Sequence, residues 1–124
     1  MAALYYRQAA FRGNYESMFN YANMLFKGDE IEMDKEKAIK IYKMAANLGC
    51  VISMEKLVTI FYTGNGTEIN KKEAVKYAKL AADHGSITSI YNYAVLVEKG
   101  DGIEMDKKEA AKYFKLAADH GEVQ

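Results

Sequence analysis

The sequence is poor in the residues that cross-link a chain or interrupt its helices. It has one cysteine, Cys50, and neither proline nor tryptophan. A single thiol cannot form an internal disulfide, so the fold does not require an oxidising compartment. The absence of proline also removes the ring that breaks a helix interior. We therefore expect uninterrupted helices and a reducing, cytoplasmic location.

An excess of charge of one sign is missing as well, because 17 lysines and arginines balance 17 aspartates and glutamates. Proteins that bind nucleic acid usually have a basic excess, since phosphate neutralisation supplies most of their affinity. The balance therefore disfavours a nucleic-acid partner. No apolar run approaches the roughly 20 residues that span a bilayer, and residues 1–8 lack the apolar core of a signal peptide. We expect no membrane insertion.

What the sequence does contain is an internal repeat. The string Ala-Ala-x-x-Gly begins at Ala9, Ala45, Ala81 and Ala117, always 36 residues apart. Since a fixed period of this length is the signature of stacked helical repeats, we predict a single repeat domain over residues 1–124. Its parts are a half repeat at 1–12, repeat 1 at 13–48, repeat 2 at 49–84, repeat 3 at 85–120 and the start of a next unit at 121–124.

Each repeat predicts two helices. In the first helix, apolar side chains stand at i, i+3, i+4 and i+7, which places them on one face. They are Met18, Tyr21, Ala22 and Leu25, with the equivalents Met54, Leu57, Val58 and Phe61, and Ile90, Tyr93, Ala94 and Val97. The second helix of each repeat has a similar pattern. The whole chain therefore predicts an all-α fold of antiparallel helix pairs, with about seven helices.

Glycines and capping residues predict where these helices begin and end. Glycine adopts the left-handed conformation that ends a helix. The expected ends are Gly28, Gly64 and Gly100 for first helices, and Gly49, Gly85 and Gly121 for second helices. The expected N-caps of the second helices are Asp34, Asn70 and Asp106. Glu73 and Glu109 each follow a cap by three residues, which predicts reciprocal capping boxes.

Repeat 3 combines Ser89, Tyr93, Ala94, Val97, Gly100, Gly102, Ile103, Asp106, Ala110, Tyr113, Ala117, Ala118 and Gly121. This pattern resembles the Sel1-like repeat, a relative of the tetratricopeptide repeat. The resemblance implies an α/α superhelix (a solenoid) that serves as an adaptor or scaffold. There are departures from the family pattern. Glu30 replaces the loop glycine of repeat 1, and Val58 stands where the family has its smallest residue, so we expect looser or shifted packing in repeat 2.

The resemblance also implies where a partner would bind. In stacked helix pairs the first helices line the concave wall, and their side opposite the core is available. The predicted partner-binding residues are Phe19, Asn20, Asn23, Phe26, Lys27, Lys56, Thr59, Tyr62, Tyr91, Asn92, Val95 and Lys99. Asn20 and Asn92 match the position at which tetratricopeptide domains clamp a peptide backbone, and Lys56 at that position would suit a carboxylate.

Aromatic residues in this set are expected to add exposed surface of a type enriched at interfaces. They are Phe19, Phe26, Tyr62 and Tyr91. The alternative interpretation is that the asparagines only bond neighbouring helices and that the aromatic rings are partly buried.

Catalytic and metal-binding patterns are not evident. No nucleophile–base pair can be named, and no phosphate-binding glycine loop is present. His84 and His120 lie one repeat apart, too far for one zinc ion, and are expected to serve as basic residues at helix ends. We predict a non-enzymatic protein–protein interaction module with no metal, no cofactor and no small-molecule substrate.

Two other functions are compatible with the sequence. The chain could be a structural spacer within a longer repeat array. It could also bind RNA or an acidic surface through an outer lysine ridge, formed by Lys40, Lys43, Lys76, Lys79, Lys112 and Lys115. The terminal repeats lack the polar outer faces of capping repeats, which predicts either a longer array or end-to-end self-association.

Overall fold

The computed structural model describes residues 2–10 and 13–123, with side chains except at positions 3, 5, 10, 122 and 123. This part of the chain forms seven α-helices and no strand. They are α1 (Ala2–Ala10), α2 (Tyr15–Lys27), α3 (Lys35–Asn47), α4 (Val51–Thr63), α5 (Lys71–Asp83), α6 (Ile87–Lys99) and α7 (Lys107–Val123). The predicted all-α class with about seven helices is confirmed.

Tertiary contacts divide the chain into two compact units, Met1–Leu57 and Val58–Gln124. In the first unit α2 packs against α1 and α3. In the second unit α6 packs against α5 and α7. The first helices α2 and α6 therefore contact the second helices of their own repeats, as expected for helix pairs whose single apolar stripes must be buried against a neighbour.

Most residues of the predicted apolar stripes lie in the core. Tyr42, Leu57 and Tyr93 are among the large side chains that are almost fully buried. Small residues occupy the closest approaches, since Ala22 and Ala94 have no exposed surface. Val58, the equivalent of these two alanines, is only partly buried. Val58 still packs against the core of its unit, and looser or shifted packing in repeat 2 stays a prediction.

The predicted N-caps of the second helices are confirmed. The side chain of Asp34 accepts a hydrogen bond from Lys37 N at 3.0 Å. Asn70 accepts from Glu73 N at 3.1 Å, and Asp106 accepts from Glu109 N at 3.0 Å. These bonds satisfy amide hydrogens that have no acceptor within the helix.

The predicted reciprocal capping boxes are wrong. The backbone N–H of Asn70 donates to Phe61 O at 2.8 Å, and that of Asp106 donates to Val97 O at 3.1 Å. The cap amides are therefore bonded to the preceding helix and not to Glu73 or Glu109. This interhelix bond recurs in repeat 1, and it ties the end of each first helix to the start of its second helix.

Left-handed glycines end the second helices of repeats 1 and 2, as predicted. Gly49 and Gly85 have φ values of 100° and 91°. The next amide in each turn reaches back to the last helical turn, with Cys50 N donating to Ala45 O at 3.0 Å. This is the Schellman arrangement.

The equivalent end at Gly121 was predicted wrongly, because α7 continues through it to Val123. Gly49 and Gly85 adopt left-handed backbone, whereas Gly121 has no φ in the left-handed region and keeps the geometry of the helix. Glycine permits a left-handed turn but does not impose one, so its presence alone does not end a helix.

The caps have a measurable effect on stability. We expect Asn70→Ala to lower the free energy of unfolding by about 1 kcal/mol, because Glu73 N loses its acceptor. Asn70→Asp retains an acceptor and should stay close to wild type. Urea unfolding followed by circular dichroism measures both variants. Equal stability of the alanine variant and wild type would show that the cap contributes nothing.

Candidate partner-binding site

The structure gives the predicted partner-binding residues of the first compact unit different surroundings. Asn23 is half-buried and accepts a hydrogen bond from the Tyr42 hydroxyl of α3. Burial of this phenol raises the pKa of Tyr42. Asn23 therefore has a structural partner on the neighbouring helix, which was the alternative interpretation of the asparagines.

The prediction that Phe26 adds exposed aromatic surface is wrong. Its side chain is only 6% exposed. The ring packs against Tyr42, with centroids 6.1 Å apart. The ammonium groups of Lys35 and Lys56 lie 5.0 and 5.2 Å from its centroid. Two lysine side chains with long apolar stems thus cover the Phe26 ring. Helical spacing alone places this ring on the side of α2 opposite the core stripe.

Phe19 and Asn20 remain accessible in part. Both are half-buried and line a groove of about 470 Å³ together with Tyr15, Glu16 and residues 49–52. Phe19 also contacts Tyr42, with centroids 5.8 Å apart. Lys27, at the end of α2, is exposed.

The second compact unit brings four predicted residues together in one groove. Thr59 and Tyr62 of α4 face Asn92 and Val95 of α6 across a space of about 270 Å³. We call this space the α4–α6 groove. Its full lining is Val58, Thr59, Tyr62, Thr63, Asn92, Val95 and Leu96. Valine and leucine side chains supply the apolar part of the lining, and a phenol, an amide and two hydroxyls supply the polar part.

Comparison of equivalent positions explains why Tyr62 is open to the groove. Tyr62 and Asn92 of the second compact unit are equivalent to Phe26 and Lys56 of the first. Lys56 reaches over the Phe26 ring, whereas the shorter side chain of Asn92 lines the groove beside Tyr62. As a result Tyr62 is 38% exposed while Phe26 is buried.

A polar cluster lies beside the groove. The Tyr62 hydroxyl donates to Asp101 Oδ2 at 2.6 Å, and Lys71 Nζ lies 3.0 Å from Asp101 Oδ1. The hydrogen bonds from Tyr62 and Lys71 hold the pKa of Asp101 below its ordinary value. In return, the carboxylate raises the pKa of both Tyr62 and Lys71. We call these three residues the Tyr62 cluster.

The remaining predicted residues lie at the edge of this region. Tyr91 is exposed and contacts Phe114 edge-on, with centroids 5.5 Å apart. It lines a second groove of about 530 Å³ between α6 and α7, which Asn92 also borders. Lys99 is exposed at the end of α6, and its charge helps to lower the pKa of Asp101.

Sequence reasoning missed part of this site. Leu96 and Val58 line the α4–α6 groove, although Val58 was assigned to the core stripe. Asp101 and Lys71 were not singled out at all. The anomalous size of Val58 and the Gly-Asp-Gly turn at 100–102 were signals, but a contact between residues 39 positions apart has no local signature.

Other chemistry is scarce in the described residues. Within residues 2–10 and 13–123, no three His, Cys, Asp or Glu side chains are grouped so that they could hold a metal ion. The Nδ1 atom of His84 lies 2.9 Å from Leu80 O, which places this ring at a helix end. Among the described helices α1–α7, no helix combines the length and the hydropathy that a membrane-spanning segment requires.

The family model of the Sel1 repeat matches residues 16–50, 59–86 and 87–122, which is most of the chain. The chain belongs to the Sel1 repeat family. Sel1 repeats are generally protein–protein interaction modules, and proteins built from them are generally scaffolds without enzymatic activity. Family membership thus agrees with the resemblance seen in the sequence, and it leaves the partner of this chain open.

Solved structures share the Sel1 repeat fold. A Sel1 repeat protein from Oxalobacter formigenes is similar with a TM-score of 0.85 and 28% identity, over 96% of this chain and 49% of that one. The protective antigen c5321 of uropathogenic Escherichia coli, with an SLR fold, has a TM-score of 0.83 and 22% identity, over 96% of this chain and 26% of that one. The chain thus spans about half of the length of the first protein and about a quarter of the length of the second. The similarity to these two structures confirms the predicted solenoid fold class. No curated protein matches the chain.

Proposed function

We propose that this chain is a non-enzymatic interaction module that binds an aliphatic side chain of a partner protein in the α4–α6 groove. The observation that carries the proposal is the open groove itself, which Tyr62 and Asn92 line together with valine and leucine side chains. Exposed aromatic residues next to apolar pockets are typical anchors of protein interfaces. The cytoplasm remains the proposed compartment.

The size of the groove restricts its occupant. At about 270 Å³ it is slightly smaller than small-molecule pockets, which span roughly 300–1,000 Å³. Such a space suits one or two side chains and is small for a cofactor. The valine and leucine side chains in its lining favour an apolar occupant, because burying apolar area against them removes it from water.

The polar lining restricts the orientation of the partner. Asn92 is exposed and its amide can both donate and accept a hydrogen bond. An extended backbone offers one donor and one acceptor per residue, so Asn92 is suited to a peptide main chain. We therefore infer a partner segment whose aliphatic side chain enters the groove while its backbone lies against Asn92.

A blocked amino acid provides the simplest test. N-acetyl-leucine methylamide has about 13 non-hydrogen atoms, and at about 0.3 kcal/mol each its expected dissociation constant is about 1 mM. NMR titration should shift the signals of Val58, Tyr62 and the Asn92 side-chain amide in a saturable way. Signals of residues outside the groove should change much less.

N-acetyl-glycine methylamide is the matched control, because it has the same backbone and no side chain. It should bind at least about 10-fold more weakly, since a buried leucine side chain contributes about 1.5–3 kcal/mol. Equal shifts with both probes, or shifts that map away from the groove, would contradict the proposed function. The structural-spacer interpretation predicts that neither probe binds.

A further inference from the structure

The Tyr62 cluster joins three segments of the second compact unit. Asp101 lies in the turn after α6, Tyr62 near the end of α4, and Lys71 at the start of α5. Each carboxylate oxygen of Asp101 has its own partner, at 2.6 Å from the Tyr62 hydroxyl and 3.0 Å from Lys71 Nζ. Lys71 Nζ also lies 5.1 Å from the centroid of the Tyr62 ring. The phenol is therefore held at its hydroxyl and on its face.

The lysine–ring contact occurs in repeats 1 and 2, but the carboxylate contact is specific to Tyr62. Lys35 lies over Phe26 in repeat 1 as Lys71 lies over Tyr62 in repeat 2. Phenylalanine has no hydroxyl, so Phe26 cannot donate a hydrogen bond to Asn65, which is the residue equivalent to Asp101. In repeat 3 the aromatic position is occupied by Glu98. Only Tyr62 therefore combines an aromatic ring with a hydroxyl at this position of the three repeats.

The turn that contains Asp101 is packed closely against α5. Gly102 has a φ of 84°, and a Cβ atom placed on it would lie 2.6 Å from Lys71 O. No side chain fits between these two backbones. This close approach places the carboxylate of Asp101 within reach of both Lys71 and Tyr62.

We propose that Asp101 is a positioning residue for the α4–α6 groove. It lines no part of the groove, but it holds the Tyr62 ring as one wall, so the affinity for an aliphatic side chain depends on a carboxylate that the occupant does not contact. This inference rests on the proposed function of the groove. Without the carboxylate, the exposed ring samples other rotamers, and binding must restrict it again.

The first measurement concerns the free protein. The Asp101 carboxylate accepts from the phenol and repels its ionised form, so it raises the pKa of Tyr62. In Asp101→Ala the NMR titration of the Tyr62 ring should therefore move toward the ordinary value of about 10. Glu104→Gln removes the same charge from an exposed residue three positions after Asp101 and should leave the pKa of Tyr62 unchanged. This readout requires no ligand.

The second measurement is the affinity for N-acetyl-leucine methylamide. We expect Asp101→Ala to weaken binding about 3- to 10-fold, the range expected when one side chain must be immobilised on binding. Tyr62→Phe removes the hydroxyl that Asp101 holds and should have a similar effect. The two substitutions together should weaken binding no more than either alone, because they disrupt the same contact.

The outcomes separate this inference from the proposed function. If wild type binds the probe but Asp101→Ala binds equally well, the positioning role is refuted and the groove remains. If Asp101→Ala weakens binding further in the Tyr62→Phe variant, the carboxylate acts by another route and the inference also fails. If wild type does not bind the probe, the proposed function fails and this inference fails with it.

Discussion

Substitution of Gly102 by alanine is expected to lower the free energy of unfolding by about 3 kcal/mol, from the backbone strain and the overpacking that it introduces. A Cβ atom at this position would lie 2.6 Å from Lys71 O and 2.8 Å from Lys71 C. These are backbone atoms at the start of α5, so they cannot rotate away as a flexible side chain would. The φ of 84° adds strain for any residue with a Cβ atom.

Gly85→Ala is the matched control, because it has the strain without the clash. Its φ is 91°, and no atom lies within 4 Å of the added Cβ. We expect a loss of about 1–2 kcal/mol, the cost of left-handed backbone alone. Urea unfolding of both variants measures the difference. If the two losses are equal, the close approach of the turn to α5 does not contribute to stability.

Substitution of Asn92 by lysine is expected to close the α4–α6 groove and weaken binding of N-acetyl-leucine methylamide by at least about 10-fold, the loss of one buried side-chain contact. The precedent is in the same molecule. Lys35 and Lys56 together cover the Phe26 ring at 5.0 and 5.2 Å. Lys71 already lies over Tyr62, so a lysine at position 92 would complete the same arrangement.

Thr88→Lys is the control for the added charge. Thr88 is exposed one helical turn before Asn92 and does not line the α4–α6 groove. We expect this variant to bind the probe as wild type does, and both variants to keep their stability within about 0.5 kcal/mol, as is usual for surface substitutions. Equal affinity of Asn92→Lys and Thr88→Lys would mean that the groove is not the binding site.

The reciprocal change tests the same explanation in the first compact unit. Lys56→Asn removes one of the two lysines over Phe26 and should expose the ring. The Phe26 ring signals should then shift when N-acetyl-leucine methylamide is added, which they should not do in wild type. A Phe26 ring that stays insensitive to the probe would show that Lys35 or other neighbours suffice to cover it.

Local sequence patterns predicted the helices well because their causes are local. Apolar spacing, N-caps such as Asp34 and turn glycines such as Gly49 act within a few residues of where they stand. The errors arose where a distant partner decided the outcome. The amide of Asn70 was expected to bond Glu73, but the preceding helix provides a carbonyl at 2.8 Å. The error at Gly121 has another cause: α7 passes through it because glycine permits a left-handed turn but does not impose one.

The candidate site was predictable only in outline. Helical spacing identified Thr59, Tyr62, Asn92 and Val95 as residues outside the core stripe, and these four do line one groove. The same spacing assigned Phe26 to an exposed position, because it says nothing about the lysines that reach it from other helices. It also could not reveal Asp101, whose role depends on how a turn packs against α5.

The sequence by itself determined the class of fold and the family, because a period of 36 residues repeats the same stripes, caps and turns. Only the tertiary structure decided which groove is open. That outcome depends on the length of one side chain, lysine at 56 and asparagine at 92, relative to a ring on a neighbouring helix. Helix periodicity is a property of adjacent residues, whereas the covering of a ring is a property of side chains that meet across helices.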